Sequence, residues 1–199
     1  MGLSRRSRML AIVFLALVGA LSVSASAGAA VQTFHRFEMV ATANYTVDQQ
    51  CADGSTARMF VTVLAGHESE SDSGEVTLDE DFVTVLLRGA DCDGIINDRG
   101  FGTGEFMFSP SLQSAATTGT VTTRDGRIVT VDISWDGVGA IESTSNTTTF
   151  PGFTGHFVGK LREAVASGTV VVDGTTLVNG STTNAEIETL EDTNITTSA

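Results

Sequence analysis

The feature that most constrains this chain is an alternation of apolar and polar residues with a period of two. Between Phe37 and Val47 every odd position is apolar, and between Val129 and Trp135 the same rhythm returns with threonine, aspartate and serine between the apolar residues. Successive side chains of a β-strand point to opposite faces, so this pattern predicts strands with one buried face. Trp135 shares a face with Val131 and Ile133, which predicts that it belongs to the core.

Two further stretches carry large apolar residues on both faces. They are Met59–Leu64 (MFVTVL) and Phe82–Leu87 (FVTVLL). Strands of this kind are typical of the centre of a sheet, where both faces are covered. We therefore expect either a second layer over their outer faces or a contact with another copy of the chain.

Turn signals separate these stretches at short, regular intervals. Asp125-Gly126 and Asp173-Gly174 each join two threonine- and valine-rich segments, which predicts two hairpins with type I′ turns. Further breaks are expected at Asp53-Gly54, Ser71–Gly74, Asp93-Gly94, Gly100–Gly104, Asp136–Gly139 and Pro151-Gly152. The polar segment Glu142–Thr149 is expected to be an edge strand or an exposed loop. Together the signals predict an all-β fold, a single-domain antiparallel sandwich or closed barrel of about 8–10 strands.

The first 29 residues have the composition of an export signal. Arg5, Arg6 and Arg8 precede the apolar run Met9–Val23, and small residues that fit an A-x-A cleavage rule follow. The run is shorter than the roughly 20 residues of a membrane-spanning helix, although an uncleaved anchor remains the alternative. We therefore predict a signal peptide over residues 1–29, of general or twin-arginine type, and one domain over residues 30–199. The protein is expected to be secreted or held at the cell surface or in the cell envelope.

Cys51 and Cys92 are the only cysteines of the chain. In an oxidising compartment an isolated pair is most simply a disulfide. A disulfide that closes the loop of about 42 residues from Cys51 to Cys92 stabilises a fold by about 4 kcal/mol in the chain-entropy treatment.

The charge balance excludes two classes of partner. The chain has 24 acidic against 11 basic residues and a formal net charge of −13. Binding to nucleic acid or to an anionic membrane surface needs clustered cations, so neither is expected. A hydrophobic content of 41% is enough for a packed core in a domain of this length.

One segment has the ligand types of a calcium site. In Ala90–Asp98 (ADCDGIIND) the oxygen-bearing residues Asp91, Asp93, Asn97 and Asp98 lie around a turn at Gly94. Calcium takes carboxylate and amide oxygens in a flexible shell, so these four are the candidate metal ligands and calcium the only candidate cofactor. Ile95 occupies a position where a calcium loop has an oxygen ligand. An ordinary aspartate turn beside the disulfide is therefore the competing interpretation.

Catalytic signatures are missing from the sequence. It has no G-x-S-x-G elbow, no H-E-x-x-H and no phosphate-binding P-loop. The densest acidic run is Asp79, Glu80 and Asp81, of which only Asp79 and Asp81 share a strand face. A carboxylate-dependent hydrolase built on them is the least favoured hypothesis. His67 opens a second acidic stretch (HESESDSGE), which is expected to be solvated unless it holds a metal.

These observations favour a non-enzymatic binding or interaction domain. Its expected partner is another protein or a second copy of the chain. The alternative is a barrel that carries a small apolar ligand, as calycin-like proteins do, and this requires an enclosed cavity lined by phenylalanine and methionine. Phe150, Phe153 and Phe157 form the densest aromatic group, which is either a ligand platform or a secondary hydrophobic cluster.

Overall fold

The computed structural model describes residues 31–197, and the predicted signal peptide lies outside this range. The described chain contains nine β-strands, and within it there is no helix long and apolar enough to cross a membrane. The strands are β1 (Val31–Gln50), β2 (Thr56–Asp72), β3 (Glu75–Asp91), β4 (Gly94–Gly102), β5 (Gly104–Phe108), β6 (Ser114–Thr123), β7 (Ile128–Phe150), β8 (Phe153–Val172) and β9 (Thr175–Thr197).

All nine strands belong to one antiparallel sheet with the order β4-β3-β2-β1-β9-β8-β7-β6-β5. An additional pairing between β4 and β6 joins its two ends, so the sheet closes on itself. β4 and β5 are separated only by Thr103. They continue one another against β6, because Gly100 lies opposite Thr123 and Gly104 opposite Gly119. The prediction of an all-β antiparallel fold is confirmed, and closure removes most of the free strand edges that an open sheet would expose.

The core fills the inside of the closed sheet. Most residues of the two alternating segments are buried there, Phe37 and Val47 pack against them while partly buried, and Trp135 is fully buried. The Trp135 indole N–H donates a hydrogen bond to the carbonyl oxygen of Thr42 at 3.0 Å. Because β7 and β1 are not neighbours in the sheet, this bond crosses the interior. The largest fully buried side chains include Trp135, Met39, Leu87, Leu112, Ile133 and Ile187.

The turns agree with the sequence in position but not always in type. Asp173 and Gly174 both have positive φ, 48° and 81°, as a type I′ turn requires. At the other predicted hairpin Gly126 alone has positive φ, 84°, and Thr123 pairs with the carbonyl of Arg127. The predicted hairpin between β6 and β7 is therefore present, but the prediction that its turn is of type I′ was wrong. A longer loop between Thr123 and Arg127, in which only Gly126 has a left-handed conformation, joins the two strands instead.

The break expected at Asp136–Gly139 was also wrong. β7 continues through it, with a register shift against β8 between Val138 and Glu142. Gly139 has a φ of 73°, which a bulge can use and which most side chains disfavour. The glycines here mark a bulge inside a strand of 23 residues.

The predicted disulfide is present. Cys51, directly after β1, is bonded to Cys92, between β3 and β4, with the two Cα atoms 5.4 Å apart. The bond links two connections at the same end of the closed sheet. It is compatible with an extracellular location.

At the opposite end two strands extend beyond their neighbours. The β6–β7 pairing ends at Asp136, which leaves the far part of β7 paired only with β8. The β3–β4 pairing begins at Val83, so the first part of β3 is paired only with β2. We refer to Glu142–Phe150 as the β7 edge and to residues 75–82 as the β3 edge. The predicted character of Glu142–Thr149 is thus resolved as an edge strand.

Candidate functional site: the outer surface of β2, β3 and β4

The outward side chains of three neighbouring strands form a continuous surface, which we call the arginine–phenylalanine surface. They alternate with the buried valines that pack inside, so their outward direction follows from the period of two. Phe60 is 52% exposed and Phe101 is 66% exposed. The surface consists of Phe60, Thr62 and Leu64 on β2, Phe82, Thr84, Leu86 and Arg88 on β3, and Asn97, Arg99 and Phe101 on β4.

The aromatic part of this surface is ordered by its neighbours. The rings of Phe82 and Phe101 stack with centroids 6.4 Å apart. Phe82 lies opposite Gly66 of β2, and a Cβ atom at Gly66 would come within 2.7 Å of the Phe82 ring. The glycine therefore leaves room for the ring to lie flat on the sheet. Offset aromatic pairs of this kind add a small stabilisation beyond the area they bury.

No acidic residue occurs among the ten outward positions of the surface, although the chain has 24 acids. Arg88 and Arg99 are exposed, and neither forms an ion pair with an acidic side chain in residues 31–197. Arg58, just beyond the surface, differs because its guanidinium binds Asp48 at 2.7 and 3.0 Å. The two arginines of the surface therefore keep their hydrogen-bond donors available to a partner.

A shallow groove crosses the β4 side of the surface. It is lined by Thr84, Arg99, Gly100, Phe101, Thr122, Thr123 and Arg124. Arg124 donates to the carbonyl oxygen of Asn97 at 2.9 Å, which fixes its guanidinium beside the groove. The Arg124 guanidinium also lies 3.6 Å from the Asp125 carboxylate. The Phe101 ring beside the unpaired Arg99 guanidinium suits a carboxylate that is attached to an apolar group.

The four predicted calcium ligands are not brought together. The Asp91 carboxylate accepts hydrogen bonds from the backbone N–H groups of Asp93 and Gly94, both at 2.9 Å, which is the competing aspartate turn. Asn97 and Asp98 are successive residues of β4, the first exposed and the second buried on the inner face. Within residues 31–197 no three histidine, cysteine or acidic side chains have an arrangement that would hold a metal. The calcium hypothesis stays a prediction without support from this geometry.

Asp98 instead has a structural role at the end of β4. Its carboxylate accepts the backbone N–H groups of Arg99 at 2.8 Å and Asp125 at 3.3 Å. Burial alone would raise the pKa of Asp98, but these bonds and one from the Thr123 hydroxyl outweigh it, so the pKa lies below its usual value. The ionised form of Asp98 thus connects β4 to the turn before β7.

Two of the three residues in the run Asp79–Asp81 meet a histidine. The imidazole of His67 lies 2.8 Å from the Asp81 carboxylate through Nδ1 and 3.4 Å from the Asp79 carboxylate through Nε2. The second Asp81 oxygen accepts the backbone N–H of Phe106 at 3.0 Å. His67 is therefore hydrogen-bonded to Asp81 through Nδ1, and its Nε2 lies close to the Asp79 carboxylate. The arrangement holds β5 against the β3 edge.

The ligand-carrier alternative, which requires an enclosed cavity, stays a prediction. Two depressions of the described chain lie on the outside of the sheet, one at the groove described above and the other around Gly104, Gly119 and Thr130. Neither is an enclosed chamber lined by phenylalanine and methionine. Phe150 and Phe153 stack at the β7–β8 hairpin with centroids 6.4 Å apart, so two of the three candidate platform rings pack on each other.

An acidic face on the neighbouring strands contrasts with the arginine–phenylalanine surface. Burial, followed by repulsion from Glu186 and Glu38, raises the pKa of Glu188 to about 7. Burial also raises the pKa of Glu38, against the effect of Arg36. Sequence reasoning did not identify this cluster, because its members lie on β1 and β9, far apart along the chain.

Six of the ten positions of the arginine–phenylalanine surface lie in stretches that the sequence identified. The stretches Met59–Leu64 and Phe82–Leu87 were expected to present apolar outer faces that something covers. Arg99 and Phe101 were not foreseen, since the glycine-rich segment around them predicted a break rather than a strand.

No protein-family model matches the chain, and neither a curated protein nor a solved structure shows significant similarity to it.

Proposed function

We propose that this protein is a secreted or cell-surface binding domain without enzymatic activity, and that it binds a protein partner through the arginine–phenylalanine surface. The observation that carries the proposal is an acid-free patch on a strongly acidic molecule, in which two phenylalanines and two unpaired arginines are exposed beside partly buried leucines. The export signal predicted for residues 1–29 and the Cys51–Cys92 bond support the location outside the cytoplasm.

The composition of the patch supports a protein partner. The centres of protein interfaces are enriched in aromatic residues and arginine and depleted of lysine, aspartate and glutamate. When interface residues are replaced one at a time with alanine, the largest losses of binding energy occur at arginines and aromatic residues. Phe60, Phe101, Arg88 and Arg99 match this description.

The chemistry of the partner follows from the same residues. Unpaired guanidinium groups form strong hydrogen bonds with carboxylates, and the exposed rings between them pack against apolar side chains. The partner surface is therefore apolar with acidic groups at its margin. The net charge of −13 opposes long-range attraction to such a partner, so recognition depends on close contact rather than on electrostatic steering.

Fluorescence anisotropy with two labelled peptides of equal length tests the proposal. One peptide alternates glutamate with leucine and phenylalanine, and the other replaces every glutamate with lysine. The wild-type protein is expected to bind the acidic peptide more tightly, although its net charge favours the basic one. Replacing both arginines, in Arg88→Ala/Arg99→Ala, should weaken binding at least about tenfold, since truncating one interface arginine often costs more than about 1 kcal/mol.

A matched control separates the surface from the overall charge. The double variant Thr120→Glu/Asn179→Asp also lowers the net charge by two, but it changes exposed residues outside the surface. It should bind the acidic peptide nearly as well as the wild type. Preference of the wild type for the basic peptide, or equal losses in both double variants, would show that the surface is not a specific site.

A further inference from the structure

The β7 edge leaves the backbone groups on one side of a strand without a partner in the described chain. Its nine residues, Glu142–Phe150, pair in one uninterrupted register with β8, from Glu142 opposite Leu161 to Phe150 opposite Phe153. Within residues 31–197 the other side has no strand beyond Asp136, and residues 138–150 are exposed. Such an edge can accept a further strand through main-chain hydrogen bonds.

The β3 edge at the same end is protected by charge. Four of its eight residues are acidic, namely Glu75, Asp79, Glu80 and Asp81. Charged side chains are a common means of preventing edge-to-edge association. The β7 edge has a single acid, Glu142, and otherwise consists of serine, threonine, asparagine and a terminal phenylalanine.

We propose that the β7 edge pairs with the β7 edge of a second copy of this chain, antiparallel and centred on Asn146. In this register Thr144 of each copy lies opposite Thr148 of the other, and Glu142 opposite Phe150. The two Asn146 side chains meet at the two-fold axis, where each amide can both donate to and accept from the other. Residues directly opposite each other in an antiparallel pair are related by a two-fold axis, so the register is compatible with a symmetric dimer.

The uncharged composition of the pairing segment is the reason for choosing a second copy as the occupant, because Ser143–Phe150 contains no acidic or basic residue. Two molecules of net charge −13 repel each other over most of their surfaces. In the proposed register the two Glu142 residues lie at opposite ends of the paired segment, about 26 Å apart along the strands, which exceeds the screening length of about 8 Å in physiological salt. Pairing two β3 edges about Glu80 would instead place Glu80 opposite Glu80 and Asp79 opposite Asp81.

The proposed contact also limits the assembly to two copies of the chain. Once both β7 edges are paired, the remaining strand edge of each molecule in the described chain is the acidic β3 edge, which β5 already contacts at Asp81. Assembly therefore stops at a closed dimer instead of continuing into a filament. The bulge after Val138 and the Pro151-Gly152 turn mark the two ends of the regular segment that pairs.

Size-exclusion chromatography with light scattering tests this inference through the residue on the axis. The wild type is expected to be a dimer whose mass falls towards the monomer on dilution. Asn146→Lys and Asn146→Asp should each be monomeric, because each places like charges directly opposite one another. An equimolar mixture of the two variants should form dimers again, since a lysine then faces an aspartate.

A variant at the β3 edge provides the control. Thr77→Lys introduces the same exposed lysine on the other free edge and should leave the dimer unchanged, as should Arg88→Ala/Arg99→Ala. Unchanged melting temperatures verify that the Asn146 variants are folded. A wild type that is monomeric at its highest soluble concentration overturns the inference, and so does a dimer that persists in both single Asn146 variants. Either result leaves the peptide-binding test of the arginine–phenylalanine surface unaffected.

Discussion

The two parts of β7 show how differently one strand can be used. From Ile128 to Asp136 it is paired on both sides, and Val129, Val131, Ile133 and Trp135 are buried inside the closed sheet. From Glu142 to Phe150 it is paired on one side and exposed on both faces. The bulge at Gly139 separates the two parts.

The difference shows that a segment can form a strand without contributing side chains to the core. The second part has no apolar period of two, yet it remains a strand because β8 supplies its hydrogen bonds. Threonine supports this conformation, since its branched side chain suits a pleated surface even in water. We therefore expect substitutions in the closed part to affect stability and substitutions in the β7 edge to affect association.

The largest expected effect comes from the disulfide at the closed end. The variant Cys51→Ser/Cys92→Ser should lose about 4 kcal/mol of unfolding free energy, because the unfolded chain regains the freedom of a long loop. Chemical denaturation of this variant and of the wild type, each under oxidising conditions, measures the difference. Reduction of the wild type should produce a similar loss. A loss below about 1 kcal/mol would mean that closure of the sheet alone determines stability.

A smaller but still large effect is expected at Trp135. Trp135→Phe removes the indole N–H that bonds Thr42 across the interior and leaves a small cavity, at a cost of about 2 kcal/mol or more. Phe150→Ala, in the exposed part of the same strand, should change stability by less than about 0.5 kcal/mol. Thermal and denaturant unfolding of both variants measure the contrast. Equal losses would contradict the division of β7 into two parts.

The smallest effect concerns the acidic face and depends on pH. The folded protein holds a proton on Glu188 up to a pKa of about 7, while the unfolded chain releases it near the ordinary value of 4.5. Stability therefore falls as the pH rises from 4.5 towards 7, and the full cost is present above that window. Glu188→Gln should be more stable than the wild type by about 1 kcal/mol at pH values above 7, after allowance for solvent screening, with little difference at about pH 4.

Glu142→Gln is the control for this pH dependence. It removes a carboxylate from the exposed β7 edge, away from the buried acidic cluster of Glu38, Glu186 and Glu188. Its stability should follow that of the wild type at every pH. If Glu188→Gln does the same, burial of the Glu188 carboxyl in the folded protein is not significant.

Local rules accounted for most of the strands. The buried faces of β1 and β7 were predicted residue by residue, and so were the disulfide and the hairpin at Asp173-Gly174. The errors occurred at glycines: the segment Asp136–Gly139 predicted a break but forms a bulge. A glycine permits either outcome, and the neighbouring strand decides which one occurs.

The candidate sites were less predictable for a related reason. The four proposed calcium ligands are close in sequence, but successive strand residues point to opposite faces, so Asn97 and Asp98 diverge. Arg99 and Phe101 join Arg88 and Phe60 only because β4 pairs with β3 in one particular register. Sequence proximity was a poor guide to spatial proximity in both cases.

The amino-acid sequence by itself determined that this chain forms antiparallel strands, which residues lie in the core and which cysteines are joined, because each of these depends on local alternation or on a choice without competitors. Only the tertiary structure decided that the sheet closes through β4 and β6, that two edges remain free, and that the arginines and phenylalanines share one surface. These depend on register and strand length, which the partners of each strand determine together.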